Sequence, residues 1–209
     1  MAGSVTFDIL ISSIPHRHES LCALLEALDA QLPAPGVGVR LYRDNLEATY
    51  GEKQAALLAS SQADYVSYID DDDLPAPDYV ARICAALAEG PDYVGYPVRW
   101  TIDGEPQIRV EHSLRHRRWE NAPGMLLRDI SEKNPLRREY AHHGVWQGGY
   151  GAEQQWAAGV RSGGHVRTEV WIPEPMYYYQ YSTTGNFGTV RHPMAELPDL
   201  PSYPWLTVL

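Results

Sequence analysis

Residues 64–79 read DYVSYIDDDDLPAPDY, and the fold class turns on this stretch. Asp64–Ile69 is a short run of β-formers that ends directly in four carboxylates, Asp70, Asp71, Asp72 and Asp73. Pro75 and Pro77 then open a helix whose apolar face is Val80, Ile83, Cys84 and Leu87. Strand, acidic loop and helix form one step of an alternation that runs back to the start of the chain. Thr6–Ile14 is apolar and suited to a buried parallel strand. Leu21, Leu24, Leu25 and Leu28 then repeat with helical spacing. Val37–Tyr42 predicts a second strand, and Lys53–Ser60 a second helix. Such alternation indicates βαβ units and a doubly wound, mostly parallel sheet with helices on both faces. Ligands of such sheets gather outside the carboxyl ends of the strands, where the aspartates stand.

Four adjacent carboxylates are costly unless positive charge neutralises them. Alternate residues of an extended chain face the same side, so Asp70 and Asp72 can converge on one ligand. Hard oxygens suit Mg²⁺ or Mn²⁺, and magnesium completes its shell with water and substrate phosphates. A pyrophosphate is the natural third party.

Downstream the pattern loosens. Tyr93–Trp100 predicts a strand, and Asp103-Gly104 a hairpin turn into Gln107–Val110. A strand is expected at Met125–Leu127, helices at Ser131–Tyr140 and Ala152–Val160, and strands at Val170–Ile172 and Met176–Tyr181. These make a smaller antiparallel and irregular portion. The aromatic group Trp171, Tyr177, Tyr178, Tyr179 and Tyr181 is expected in a strand core. Pro193, Pro198, Pro201 and Pro204 mark an extended arm over 193–209. The expected organisation is one domain over 1–192, divided into halves 1–107 and 108–192, plus that arm.

The formal net charge is −10, and its distribution excludes some partners. Residues 1–107 hold 6 Lys/Arg against 17 Asp/Glu, whereas residues 108–143 hold 8 against 5. Broad electrostatic binding of nucleic acid is disfavoured, although the basic middle offers a local anion site. Its densest part, Arg115–Trp119, contains Arg117, Arg118 and Trp119 and suits phosphate or base contact on the acceptor side. No apolar run is long enough to span a membrane, and no secretory signal is evident. With only Cys22 and Cys84, both in helical patterns, a reducing cytoplasm is the expected compartment. His16, His18, His142, His143 and His192 lack zinc-site spacing.

The segment 64–79 resembles the D-x-D region of family 2 glycosyltransferases with the GT-A fold. Ser12–Leu28 is similar to their opening strand, arginine-bearing loop and first helix. Arg43-Asp44-Asn45 ends the second strand where the family places a base-contacting aspartate. Gly51-Glu52-Lys53 is similar to its Gly-x-Arg/Lys segment, and Gly148–Trp156 to the region of its Glu-Asp motif. The resemblance covers about residues 5–181. It implies a nucleotide-sugar donor, with a UDP-sugar favoured, and a soluble hydroxyl acceptor: a glycan, a metabolite, a protein or a hydroxymethylated DNA base. Arg17, Asp44, Lys53, Asp70 and Asp71 would contact the donor, while Asp70 and Asp72 would ligate Mn²⁺ or Mg²⁺. Inversion at the anomeric carbon is also implied.

The general base departs from the family pattern, for Ala152-Glu153-Gln154 stands where Glu-Asp is expected. One register puts Glu153 in the base position, and the other puts Gln154 there and leaves no base. A non-catalytic nucleotide-sugar-binding module is therefore an alternative. A sugar-phosphate nucleotidyltransferase is another, although Ser12–Arg17 lacks the glycine-rich loop it would need.

Overall fold

A computed structural model describes residues 5–116, 119–148, 151–183 and 193–209. Strand β1 (Phe7–Ser13) lies between β2 (Val37–Arg43) and β3 (Tyr65–Tyr68), parallel to both. Its side chains alternate between two cores. Phe7, Ile9 and Ile11 pack with Leu21, Leu24, Leu25 and Leu28 of α1 (His18–Asp29), while Leu10 packs with Leu57 and Leu58 of α2 (Tyr50–Ser60). A strand buried on both faces reads as a continuous apolar run, which is why its sequence signal is strong. Helix α2 starts earlier than its Ala/Leu pattern suggests. Thr49 and Glu52 form a capping box, with Glu52 N–H donating to Thr49 Oγ1 at 3.3 Å and Thr49 N–H to Glu52 Oε2 at 2.7 Å.

Beyond the aspartates, β4 (Leu74–Pro75) precedes α3 (Tyr79–Leu87), which adds Tyr79, Val80, Ile83 and Leu87 to the α1 core. The long β5 (Tyr93–Ile102) turns at Asp103 (φ 48°) and Gly104 (φ 87°) into β6 (Glu105–Pro106). Two left-handed residues in succession are what a tight hairpin with right-handed strand twist requires. Then follow β7 (Arg109–His112), β8 (Glu120–Ala122) and β9 (Met125–Arg128), which extend the sheet past β5.

The helix expected at Ser131–Tyr140 is absent. Its place is taken by β10 (Leu136–Arg137), antiparallel between β3 and β5, and by a short α4 (Arg138–Ala141). Pro135 explains the failure, since proline disfavours helical geometry at the residue before it and cannot donate within a helix. The facing edges of β3 and β5 also need partners: Tyr68 N–H donates to Glu132 O at 2.8 Å, and Val94 N–H to Pro135 O at 2.9 Å.

Helix α5 (Ala152–Gly163) packs Trp156, Ala157 and Val160 into the α2-side core. Strands β11 (Glu169–Trp171) and β12 (Tyr177–Tyr181) both run parallel to β5. The proline-bearing tail is extended, and its end forms β13 (Leu206–Val208) on the free edge of β2, with Trp205 buried. The architecture is thus a mostly parallel α/β sheet with helices on both faces and a smaller, mixed extension. Among the described residues no helix is long and apolar enough to cross a membrane, and both cysteines are free thiols.

Candidate active site

The parallel strands β2, β1 and β3 end side by side, and their carboxyl ends carry Asp44, Ser13 and Asp70. After β1, a turn of 3₁₀ helix at Pro15–Arg17 brings Arg17 across to the aspartate run. Its Nη1 stands 2.7 Å from Asp71 Oδ1, and its Nη2 stands 2.9 Å from Asp72 Oδ2. Burial works against the charge on Arg17, yet Asp71 and Asp72 hold it firmly protonated. Asp44 and the buried Lys53 form an ion pair, and Lys53 Nζ also donates to Ser13 O at 2.9 Å. Burial raises the Asp44 carboxyl, but Lys53 and the backbone N–H groups of Ala48 and Leu46 bring it below its usual range. Both residues thus enter the site already paired.

The four carboxylates do not act alike. Asp71 is buried and turned to Arg17. Asp73 is also buried; it accepts from Tyr177 Oη at 2.6 Å and from Gln180 N–H at 2.8 Å. Burial and the charges of Asp70 and Asp72 push its carboxyl well up. Asp70, Asp72 and Asp73 place carboxylate oxygens within 4.8 Å of one another, a donor set fit for a hard divalent cation. Burial pushes Asp72 up to about 6, with Arg17 opposing and Asp70 and Asp71 adding. Among the described residues no histidine joins this group, and His192 lies outside them.

Sequence reasoning missed the cation beside Asp70. Lys133 Nζ lies 2.5 Å from Asp70 Oδ1 and 3.4 Å from Glu132 Oε1. Its loop is pinned from three sides. Tyr96 Oη donates to Lys133 O, Asn134 Nδ2 donates to Val94 O at 2.9 Å, and Asn134 Oδ1 meets His112 Nδ1 at 2.6 Å. Burial opposes the Lys133 charge, but Asp70, Tyr50 and Glu132 hold it well above the ordinary lysine range. The hydroxyl of Tyr50, at the start of α2, is buried with no partner among the described residues.

Glu153 sits in the first turn of α5, which Gly151 opens at φ 86°. Helix α2 lies close by: a Cβ on its Gly51 would come within 3.2 Å of Gly148 O. Glu153 and Gln154 line one cavity of about 380 Å³ with Asp70, Glu132 and Lys133. Both registers of the base motif therefore reach the site. Trp119 lines the cavity too, whereas Arg117 and Arg118 lie outside the described residues. Tyr177 and Tyr179, expected in a strand core, also face it. The tail is not part of this wall, for it packs at the opposite edge of the sheet. There Pro198 O accepts from Arg43 at 2.6 Å, and Met194 exchanges two hydrogen bonds with Asn45.

No family model and no curated protein sequence matches the chain. Solved structures do. TarS 1-349 of S. aureus superposes with a TM-score of 0.64 at 13% identity, over 84% of this chain and 60% of that one. The same protein in complex with UDP-GlcNAc gives 0.63 at 12%, over 84% and 58%. Glucosyl-3-phosphoglycerate synthase from Mycobacterium tuberculosis, in complex with Mn²⁺, UDP and phosphoglyceric acid, gives 0.56 at 14%, over 84% and 70%. The chain spans about 60% of the length of the TarS fragment. At such identities the likeness is one of architecture alone: the chain has the GT-A fold.

Proposed function

We propose that this chain is a glycosyltransferase that takes a sugar from a nucleotide-sugar, with UDP-sugars favoured, and passes it to a hydroxyl acceptor with inversion. The observation that carries the reading is the convergence of Asp70, grouped with Asp72, and of Glu153 on one cavity at the strand ends. The ligands of the GT-A neighbours, UDP-GlcNAc for TarS and UDP with Mn²⁺ for the mycobacterial synthase, support the donor class. Asp70 and Asp72 would hold the cation, since Asp73 is committed to Tyr177. A bound Mn²⁺ or Mg²⁺ supplies Lewis acidity to the leaving nucleoside diphosphate. Arg17 and Lys133 flank that position and add positive charge where the diphosphate gains negative charge. Glu153 takes the proton of the acceptor hydroxyl as its oxygen attacks the anomeric carbon. The bond from that carbon to the diphosphate oxygen breaks, and the electron pair leaves with the diphosphate.

Thermal shift with a panel of nucleotide-sugars and Mn²⁺ tests the reading, because a ligand that binds only the folded state raises its melting temperature. A UDP-sugar should shift the melt with Mn²⁺ present, and chelator should abolish the shift. A panel without any cation-dependent shift overturns the reading.

A further inference from the structure

The cavity that opens at Asp70 and Glu153 continues along the mixed extension of the sheet. Its other wall is built by Val98 and Trp100 of β5, Val110 of β7 and Leu126 of β9, with Trp119 from the segment before β8. Acidic charge gathers at the strand-end side, whereas this wall is mainly apolar, with His112 and Arg128 as its polar side chains. We propose that this wall is the acceptor subsite and that it selects an aromatic alcohol over an aliphatic sugar. The inference rests on the glycosyltransferase reading for its reaction, but on the wall alone for its chemistry.

Trp119 is held as a fixed platform. Its Nε1–H donates to Ile130 O at 3.0 Å, and the Arg128 guanidinium lies 4.7 Å from its ring centre. A side chain already ordered loses little freedom when a ring packs on it. Trp100 meets Tyr179 edge to face at 6.3 Å between centroids, and its buried Nε1–H has no acceptor among the described residues. His112, the polar side chain of β7 in this wall, is neutral: burial lowers it to about 4, and its Nδ1 is engaged by Asn134. A hexose lying here would set several of its hydroxyls against Val98, Val110 and Leu126 without partners, which discriminates against it. An aryl ring would instead bury apolar area beside two indoles.

The test is direct binding by calorimetry, without donor, of 4-methoxybenzyl alcohol, cyclohexylmethanol and methyl glucoside. The aryl alcohol should bind at least about tenfold more tightly than the saturated ring, with methyl glucoside weakest. Trp119→Ala should erase the aryl advantage, and Leu126→Gln should weaken both ring alcohols. A cooperative melt in each variant shows that it has folded. Equal binding of the two ring alcohols, or tighter binding of methyl glucoside, overturns the proposal. Adding a UDP-sugar separates the two readings. Aryl binding with no donor turnover breaks the enzymatic reading and leaves the subsite standing. Donor turnover with no aryl preference breaks the subsite alone.

Discussion

At the strand ends, where Asp70 enters the cavity, every carboxylate of the aspartate run has a partner. Lys133 serves Asp70, Arg17 serves Asp71 and Asp72, and Tyr177 with the Gln180 N–H serves Asp73. On the facing wall Val98, Val110 and Leu126 present no polar atoms, and Trp119 spends its N–H on Ile130. One side keeps charge in balance and the other is mainly apolar. The contrast revises an argument made from sequence. Four carboxylates in a row need positive charge, but two protein cations already supply much of it. Charge balance alone therefore does not demand a metal, and the case for one rests on the convergence of Asp70 and Asp72. A cation held by Asp70 and Asp72 would displace Lys133 and Arg17 from them, and both would then be available to a diphosphate.

The sharpest way to break this contrast is to remove the acidic side. Asp72→Ala deletes a hard oxygen from the donor set, and donor hydrolysis or transfer should fall below detection. Excess chelator should do the same to the wild type. Turnover that survives chelator would mean that Arg17 and Lys133 suffice, and the metal-dependent reading would fall.

Next in size is the base. Glu153→Gln keeps shape and removes basicity, so transfer should drop about 10²–10⁴-fold with donor binding retained. Glu132, which sequence reasoning did not consider, lines the same cavity, and burial raises its carboxyl. Glu132→Gln provides the comparison: if it abolishes transfer while Glu153→Gln leaves rates within a few-fold, the proton goes to Glu132.

Smaller again is the effect of breaking the Lys133–Asp70 pair. Lys133→Met strands the Asp70 carboxylate, and the metal-free protein should lose about 2–3 kcal/mol of stability by denaturant titration. This is less than for a fully enclosed pair, because the site opens on the cavity. Mn²⁺ should restore more stability to the variant than it adds to the wild type, and should bind it more tightly. Equal Mn²⁺ affinity in the two proteins would show that Lys133 does not compete at Asp70.

The walls also differ in how far sequence disclosed them. Strands β1, β2 and β3 and helices α1 and α3 are set by runs and repeats within their own segments, so their positions were legible to within a few residues. The Asp70–Asp73 cluster was legible for the same reason, since a charged run after an apolar strand is a local signal. Lys133 was not. It belongs to a segment with no period of its own, made into a strand by the vacant edges of β3 and β5 and by Pro135. Pro135 was the available warning. The start of α2 at Tyr50 was equally available from Thr49-x-x-Glu52. The division of labour among the aspartates could not be read from spacing, because it depends on Arg17, Tyr177 and Lys133 arriving from distant parts of the chain.

The smallest expected effect concerns what the acidic wall costs the folded protein. Asp72 is raised to about 6 by burial, with Arg17 opposing and Asp70 and Asp71 adding. An unfolded aspartate titrates near ~3.9. Between those values the folded state holds the extra proton, so this group's contribution to stability falls as pH rises through about 6. His112 works the other way, since burial lowers it to about 4 and the folded state holds fewer protons there than the unfolded chain. The two effects overlap, and the pH profile of the wild type alone would hide both. The difference between Asp72→Asn and wild type removes His112 from the account. In chelator, the asparagine variant should gain stability relative to wild type as pH rises from 5 to 7, by at most about 1 kcal/mol after allowing for partial exposure. Donor with Mn²⁺ should shrink or reverse that gain, because only the aspartate can use the cation. A difference that stays flat between pH 5 and 7 would show that Arg17 fully compensates Asp72, so that the acidic wall carries no stored cost for a ligand to relieve.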